Sequence, residues 1–360
     1  MKILNRYLIR EYIPKFITSL LLFTFILLMD QLFDLMDLML NKKVGLENIS
    51  KLFAYVMPSL LMFSLPMSIL AATVLLYVRL SEDNEITAIR TSGGTTWTLL
   101  KPIIAVSIIL SLMMVYFNST VAPAANQKFK TLYYQILYKN PLMQLSEKSF
   151  LQFQNYNIYI KKIESGNVLK GVVIYKWGSK LPLVTAAERA ELTVAEEKGL
   201  IFRLHDGMTF FENPDKQGEL DRSSFSENEM IIAINSNTDF LSSRESSLRE
   251  IKSPDLLKKA KALPERRYVY LTEYHLRMAI ACAPVIFVFI AAPLAIFNRR
   301  KAKGYGLTAT VAIIFAYYIL LVAGSAMSEK HVLEPAIALW MPNIILGAAG
   351  VFFTARMSKK

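Results

Sequence analysis

The sequence predicts an α-helical membrane protein with six transmembrane helices and an inserted all-β, jellyroll-like domain. Three observations predict it. Apolar residues make up 53% of the 360-residue chain, above the roughly 45–50% of soluble domains, and they gather in runs of about 20 residues, enough to cross a bilayer as a helix. A stretch of about 150 residues between the third and fourth runs carries short alternating strands instead. Lys and Arg cluster at the ends of the apolar runs, the pattern that orients a membrane protein.

The first run follows a basic N-terminus, MKILNRYLIREYIPKF. It begins like a signal peptide but has no small-x-small cleavage site, so it reads as an uncleaved first span. Spans are expected near 16–38, 52–78, 103–122, 275–298, 307–327 and 335–355. Near their ends, fourteen cations fall on one side, from Lys2, Arg6, Arg10 and Lys15 through Arg79, Arg90 and Lys101 to the C-terminal lysines. Only Lys42, Lys43, Lys51 and Lys330 fall in the short loops on the other. The bias predicts both termini in the cytoplasm and the large domain on the far side.

The domain plan is 1–122 for the first three spans, 123–267 for the β domain with a short helix at 254–263, and 268–360 for the last three spans. The strands are SFLQFQ, YNIYIKKI, LKGVVIYKW, LPLVTAAERAELTV, GLIFRLHDGMTFFE and SFSENEMIIAI, separated by turn-forming clusters such as ESGN and EEKG. Strands in succession without intervening helices suggest a sandwich, jelly roll or partly closed barrel.

The formal charge of +12 is distributed for membrane orientation rather than for nucleic acid, since no basic aromatic stripe is present. His205, His275 and His331 lack metal-ligand spacing, and Cys282 stands alone. No cofactor or metal is expected in this chain. Glu273 and His275 are two residues apart and do not share a helical face, so they are not read as a catalytic pair. No glycine precedes a lysine, which excludes a GxxxxGK[ST] phosphate loop. Any ATP-driven work must therefore enter from another polypeptide.

The short segment RLSEDNEITAIRTSGGT interrupts spans two and three. It predicts a helix over 81–93: Ser81 as cap, Glu82, Asp83 and Glu85 in the first turn, Arg90 in the last and Gly93 as a left-handed stop. That gives roughly 15 Å of helix. Two readings stand side by side, a solvated linker and a lever that docks into a partner. On the first span, Asp30, Asp34 and Asp37 share one face. They either end the span in the headgroup zone, or border a lateral opening or salt-bridge to a partner helix. Pro66, Pro284 and Pro293 are positioned to kink spans two and four.

The segments EDNEITAIRTSGGT, NRYLIREYI and RYVYLTEYHLRMAIACAPVIFVFIAAPLAIFNRRKAKG resemble the lipopolysaccharide export permeases (the LptF/LptG, or YjgP/YjgQ, family). The resemblance covers the whole chain and leans toward the LptF sister through EITAIRTSG and EYHLR. It implies a coupling helix whose acidic residue, Glu85 here, meets a groove in a separate ATPase, with Glu82, Arg90 and Gly93 around it. It also implies a homologous permease (LptG-like), a cytoplasmic ATPase dimer (LptB-like), a single-span partner (LptC-like), a periplasmic bridge protein (LptA-like), and lipopolysaccharide as cargo in the inner membrane. Family members carry cations near the outer end of the first span. This chain has Gln31 and Asp34 there, leaving Lys42 and Lys43 as the nearest substitutes for contacting lipid phosphate. Two other roles fit the same features: a permease for another envelope lipid or lipoprotein, and a membrane-anchored interaction scaffold without an ATPase.

Overall fold

The computed structural model describes residues 2–40, 44–139, 149–153, 156–165, 167–176, 183–195, 199–212, 220–232, 247–297 and 302–358. Its helices are α1 (Lys2–Leu40), α2 (Leu46–Glu82), α3 (Glu85–Thr91), α4 (Thr96–Tyr116), α5 (Ala122–Lys139), α6 (Ser253–Ala262), α7 (Arg267–Phe297), α8 (Ala302–Glu329) and α9 (Pro335–Ser358). Six helical stretches among the described residues are long and apolar enough to cross a membrane. The chain is a multi-pass membrane protein with a β domain inserted between its third and fourth spans.

The chain divides into two compact units, residues 1–130 with 246–360, and residues 131–245. The second unit is shorter than the 123–267 expected for the inserted domain. Helix α4 runs through a π-helical segment, Phe117–Val121, directly into α5. Residues 247–267 are bound to α7 by hydrogen bonds described below, so they belong to the membrane unit.

In that unit α7 is the central post. Within the most apolar window of each span, 72% of α7 and 67% of α2 is buried, against 11% of α1. The core joins Ile69, Leu76 and Tyr77 of α2 to Leu99 and Ile103 of α4, Ala283 and Phe287 of α7, and Tyr317 of α8. The prolines do not interrupt their helices. Pro293 deprives the Phe289 carbonyl of its helical donor, and the hydroxyl of Thr354 on α9 donates to that carbonyl at 3.1 Å. An orphan carbonyl in hydrocarbon must find such a substitute. The close approach is possible because Gly350 of α9 carries no Cβ, which would lie 2.9 Å from the Phe289 carbonyl carbon.

The inserted unit is one antiparallel sheet in sequential order: β1 (Ser149–Phe153), β2 (Tyr156–Ser165), β3 (Val168–Lys176), β4 (Leu183–Ala195), β5 (Gly199–Glu212) and β6 (Leu220–Ile232). All six expected strands are present. The core of this unit comprises Ile158, Ile160, Leu169, Val172, Ile174, Ala187, Ala190, Leu192, Phe202, Leu204 and Ile232.

The alternation of these core residues slips once on every strand from β2 to β6. Consecutive core-facing positions are three apart, not two, at Ile160 and Ile163, Leu169 and Val172, and Ala187 and Ala190. The register stays constant through the slip: Ile160 pairs with Val172, Val172 with Ala187, Ala187 with Gly207 and Gly207 with Phe225. On the far side of the slip, Ile163 pairs with Leu169, Leu169 with Ala190, Ala190 with Leu204 and Leu204 with Asn228. Each strand therefore spends one extra residue at the same row, with left-handed backbone at Gly171 (φ 62°) and Asp206 (φ 52°). An extra residue bends a strand and raises its twist. Aligned across five strands, the bends form a crease. Beside it, a Cβ on Gly207 would lie 2.4 Å from the ring of Phe225; the ring packs where that side chain would stand.

Candidate functional site

The connection between α2 and α4 is where the structure departs most from expectation. Ser81 is not a helix cap: Ser81 and Glu82 complete the last turn of α2. Asn84 then adopts a left-handed conformation, φ 58°, and α3 spans only the seven residues Glu85–Thr91. Asn tolerates that region better than other non-glycine residues, and one such residue breaks a helix that composition alone would continue. The end of α3 matches expectation. Gly93 is left-handed (φ 86°), and the N–H of Gly94 reaches back to the Ile89 carbonyl at 2.8 Å. This closes the helix as a left-handed glycine cap. The Thr95 hydroxyl caps α4 by accepting from the Thr98 N–H at 3.3 Å.

Helix α3 is fastened on both sides. The hydroxyl of Tyr7, on α1, lies 2.9 Å from both carboxylate oxygens of Glu85. One turn further along α1, Glu11 pairs with Arg79 at the end of α2 and with Lys15. Arg79 also reaches Asp83 at 3.3 Å. Arg90, from the other end of α3, donates to the Thr96 hydroxyl on α4 at 2.9 Å. Ile86 is buried in the main core. Glu82 is exposed on the last turn of α2. The predicted residues Glu85, Arg90 and Gly93 thus meet at one short helix, with Glu82 just before it. Tyr7, Glu11 and Arg79 were not expected there. Their signal was the spacing of Tyr7, Glu11 and Lys15 along one face of α1.

The predicted lipid-contacting residues fare differently. Asp30 and Asp34 are exposed on α1, with the Gln31 amide 3.4 Å from Asp30. Exposed Phe33 and Met36 lie between and beside them. Lys42 and Lys43 lie outside the described residues.

At the opposite ends of the spans a second polar cluster was not anticipated. Arg277, 2% exposed on α7, pairs with Glu273 at 2.8 Å. It also donates to the carbonyls of Ile251 and Leu248 at 2.7 and 2.9 Å. Glu250 in the same connector pairs with Lys130 of α5 at 2.9 Å and accepts from the Ser247 N–H. Asn126 of α5 bridges Ser59 of α2 and the Arg249 carbonyl. Asn118, in the π-helical segment, donates to the Arg277 carbonyl at 3.4 Å. The two chain segments leading into and out of the β domain, α5 and residues 247–252, are therefore held to α2 and α7. His275 takes no part: its Nδ1 accepts from the Trp340 indole at 3.3 Å.

Beside this cluster a cleft of about 450 Å³ opens between α2, the connector, α7 and α8, lined by Phe63, Leu248, Glu273, Leu276, Tyr318 and Leu321 among others. Its walls are mostly apolar, with Arg249, Glu273 and Glu329 as its charged members. Among the described residues, no three His, Cys, Asp or Glu side chains are grouped to hold a metal ion.

A bundle of six candidate spans, a short helix fastened between two of them and a β domain inserted between the third and fourth define a polytopic membrane protein. The sequence model described as lipopolysaccharide export system permease LptF/LptG matches residues 6–356, and the chain belongs to that family. The uncharacterised protein RP871 of Rickettsia prowazekii (strain Madrid E) is 24% identical over 252 residues, 69% of this chain and 68% of that protein.

Proposed function

We propose that the chain is one membrane subunit of an ABC transporter that extracts lipopolysaccharide from the inner membrane and passes it to a periplasmic β-jellyroll bridge. In this reading α3 is the coupling helix and both termini are cytoplasmic. A cytoplasmic ATPase dimer hydrolyses ATP, a homologous permease faces this one, and a single-span periplasmic partner and a bridge protein complete the path. The LptF sister role rests on EITAIRTSG and EYHLR alone.

The observation that carries the reading is the fastening of α3. A free linker would transmit nothing. Here a displacement of α3 is carried to α1 through Tyr7 and Glu85 and to α4 through Arg90 and Thr96. Of these spans α1 is the least packed, so it yields most readily to such a push. Rigid motion of one span against a packed post changes the shape of the cavity beside it. In the cleft between α2, α7 and α8, the apolar wall would take acyl chains.

The deciding experiment substitutes Glu85→Ala in the assembled complex and follows two quantities, ATPase co-purification and ATP-driven release of lipopolysaccharide from proteoliposomes. Both fall if α3 is the docking element. Undiminished release with the variant overturns the reading. A second cargo class, another envelope lipid or lipoprotein, draws support from the exposed Asp30 and Asp34, which repel rather than attract lipid phosphate. Cross-linking from that face of α1 to labelled lipopolysaccharide separates the two.

A further inference from the structure

Helix α4 and the π-helical segment that follows it turn polar side chains toward α7. Ser111 and Asn118 donate to the carbonyls of Ala281 and Arg277, at 2.7 and 3.4 Å. Asn118 stands in the π-helical segment itself, a distortion that frequently marks functional sites. Its bond to Arg277 fixes which way the amide points. Reversed, its oxygen would face a carbonyl oxygen, acceptor against acceptor. The Asn118 side chain is fully buried, and its Oδ1 has no hydrogen-bond partner among the described residues. Native interiors rarely leave a buried amide oxygen without a donor, because its lost hydration is then not replaced.

Asn118 also lines a cavity of about 100 Å³, together with Ser59, Met62, Ala122, Asn126 and Arg277 among others. Two of these neighbours have hydrogen-bonding capacity left over. Ser59 gives its hydroxyl proton to Asn126 Oδ1 at 2.7 Å, which leaves the Ser59 oxygen as an acceptor. Asn126 gives one amide hydrogen to the Arg249 carbonyl at 3.4 Å and carries a second. The cavity wall thus presents a donor as well as acceptors.

Size and polarity narrow what could fill it. A water molecule needs about 10–15 Å³ of such space and roughly two to four polar partners, so there is room for several. Pockets for drug-sized organic ligands are far larger, roughly 300–1,000 Å³. A cation is repelled by the Arg277 guanidinium on the same wall, and an anion meets Asn118 Oδ1 and the Glu273 carboxylate.

We propose that this cavity binds a small cluster of ordered water, anchored on Asn118 Oδ1 and shared with the Ser59–Asn126 pair. One water donates to Asn118 Oδ1, and its neighbours donate to Ser59 and accept from Asn126. The cluster links α2, α5 and the π-helical segment where the chain leaves the bundle for the β domain. These are held molecules rather than bulk solvent, and the Arg277–Glu273 pair nearby keeps its own partners. The proposal concerns internal hydration alone and is independent of the transport reading.

The test is water-edited solid-state NMR on full-length, isotope-labelled protein in lipid bilayers, which reads how fast magnetisation passes from water protons to each carbon. Asn343 supplies the control. It is also buried, donates to the Ala279 carbonyl at 2.9 Å and has an Oδ1 without a partner among the described residues. Yet it lines neither of the two cavities described above. The Asn118 carboxamide carbon builds up as early as that of exposed Asn84, and that of Asn343 lags. An Asn118 carbon that lags with Asn343 overturns the proposal without recourse to any variant. Ala122→Leu, which fills the cavity, slows Asn118 to the rate of Asn343; an unchanged rate in the folded variant overturns the assignment to this cavity. Exchange of sodium and potassium chloride for choline chloride leaves the Asn118 build-up unaltered. Its loss on that exchange overturns the proposal in favour of a hydrated cation.

Discussion

On the α3 side of the membrane unit, Arg79 meets Glu11 with side chains 41% and 27% exposed; on the opposite side, Arg277 meets Glu273 with side chains 3% and 14% exposed. Both are arginine–carboxylate pairs, but their physics differs. The first is wet, and solvent screening leaves exposed pairs of this kind contributing little. The second is dry, and its guanidinium has backbone carbonyls as further acceptors. Removing one partner from such a pair leaves an uncompensated buried charge and costs about 3–5 kcal/mol. Contacts that must be rearranged during a working cycle belong at the wet end, and contacts that must hold two chain segments in place belong at the dry one.

The largest effect expected from this contrast is at Arg277. Arg277→Leu strands Glu273 and frees the Leu248 and Ile251 carbonyls, lowering stability by about 3–5 kcal/mol in denaturant titration of the reconstituted protein. The double variant Arg277→Leu/Glu273→Leu recovers part of that loss. An effect as small as that of Arg79 would erase the distinction between the two ends. Arg79→Gln should leave stability nearly unchanged, and any difference from wild type should shrink as salt rises. A loss independent of salt would mean that the α3 side is as dry as the other.

Tyr7→Phe sharpens the comparison from a different direction. It removes one hydroxyl from an exposed carboxylate, so the expected stability change is within about 1 kcal/mol. Under the proposed function, however, it uncouples α1 from α3, and ATP-driven release falls while ATPase association survives. That split distinguishes Tyr7, a positioning residue, from Glu85.

The smallest effect lies in the β domain, at an exposed ion pair. Lys170 donates to Glu164 across the β2–β3 hairpin at 2.6 Å and, chiefly through that hydrogen bond, holds its carboxyl below the usual carboxylate range. A folded-state value below the unfolded one stabilises at neutral pH, and the contribution fades as pH falls through the acidic range. In Lys170→Met, the Glu164 titration followed by carboxyl NMR should move up toward the ordinary value.

How far these features could be read from the sequence depends on whether their cause is local. The spans and all six strands follow from periodicity, and Gly93 as a helix stop follows from its left-handed preference. The length of α3 was misjudged because Asn84, a residue that tolerates the left-handed region, was counted as helix. The crease left a trace too: Lys161 with Lys162, Glu188 with Arg189, and His205 with Asp206 are adjacent polar residues where strict alternation would put one inward. Each looks like noise on its own strand, and only the register lines them up. The role of Arg277 had no comparable trace, because its acceptors are carbonyls 26 and 29 residues earlier, and every residue has a carbonyl.

That line of bends has a mechanical meaning for the β domain. Since Ile160, Val172, Ala187, Gly207 and Phe225 keep their partners up to the bend and Ile163, Leu169, Ala190, Leu204 and Asn228 keep theirs beyond it, the two leaves can change their mutual angle as a book does about its spine, with no ladder unzipped.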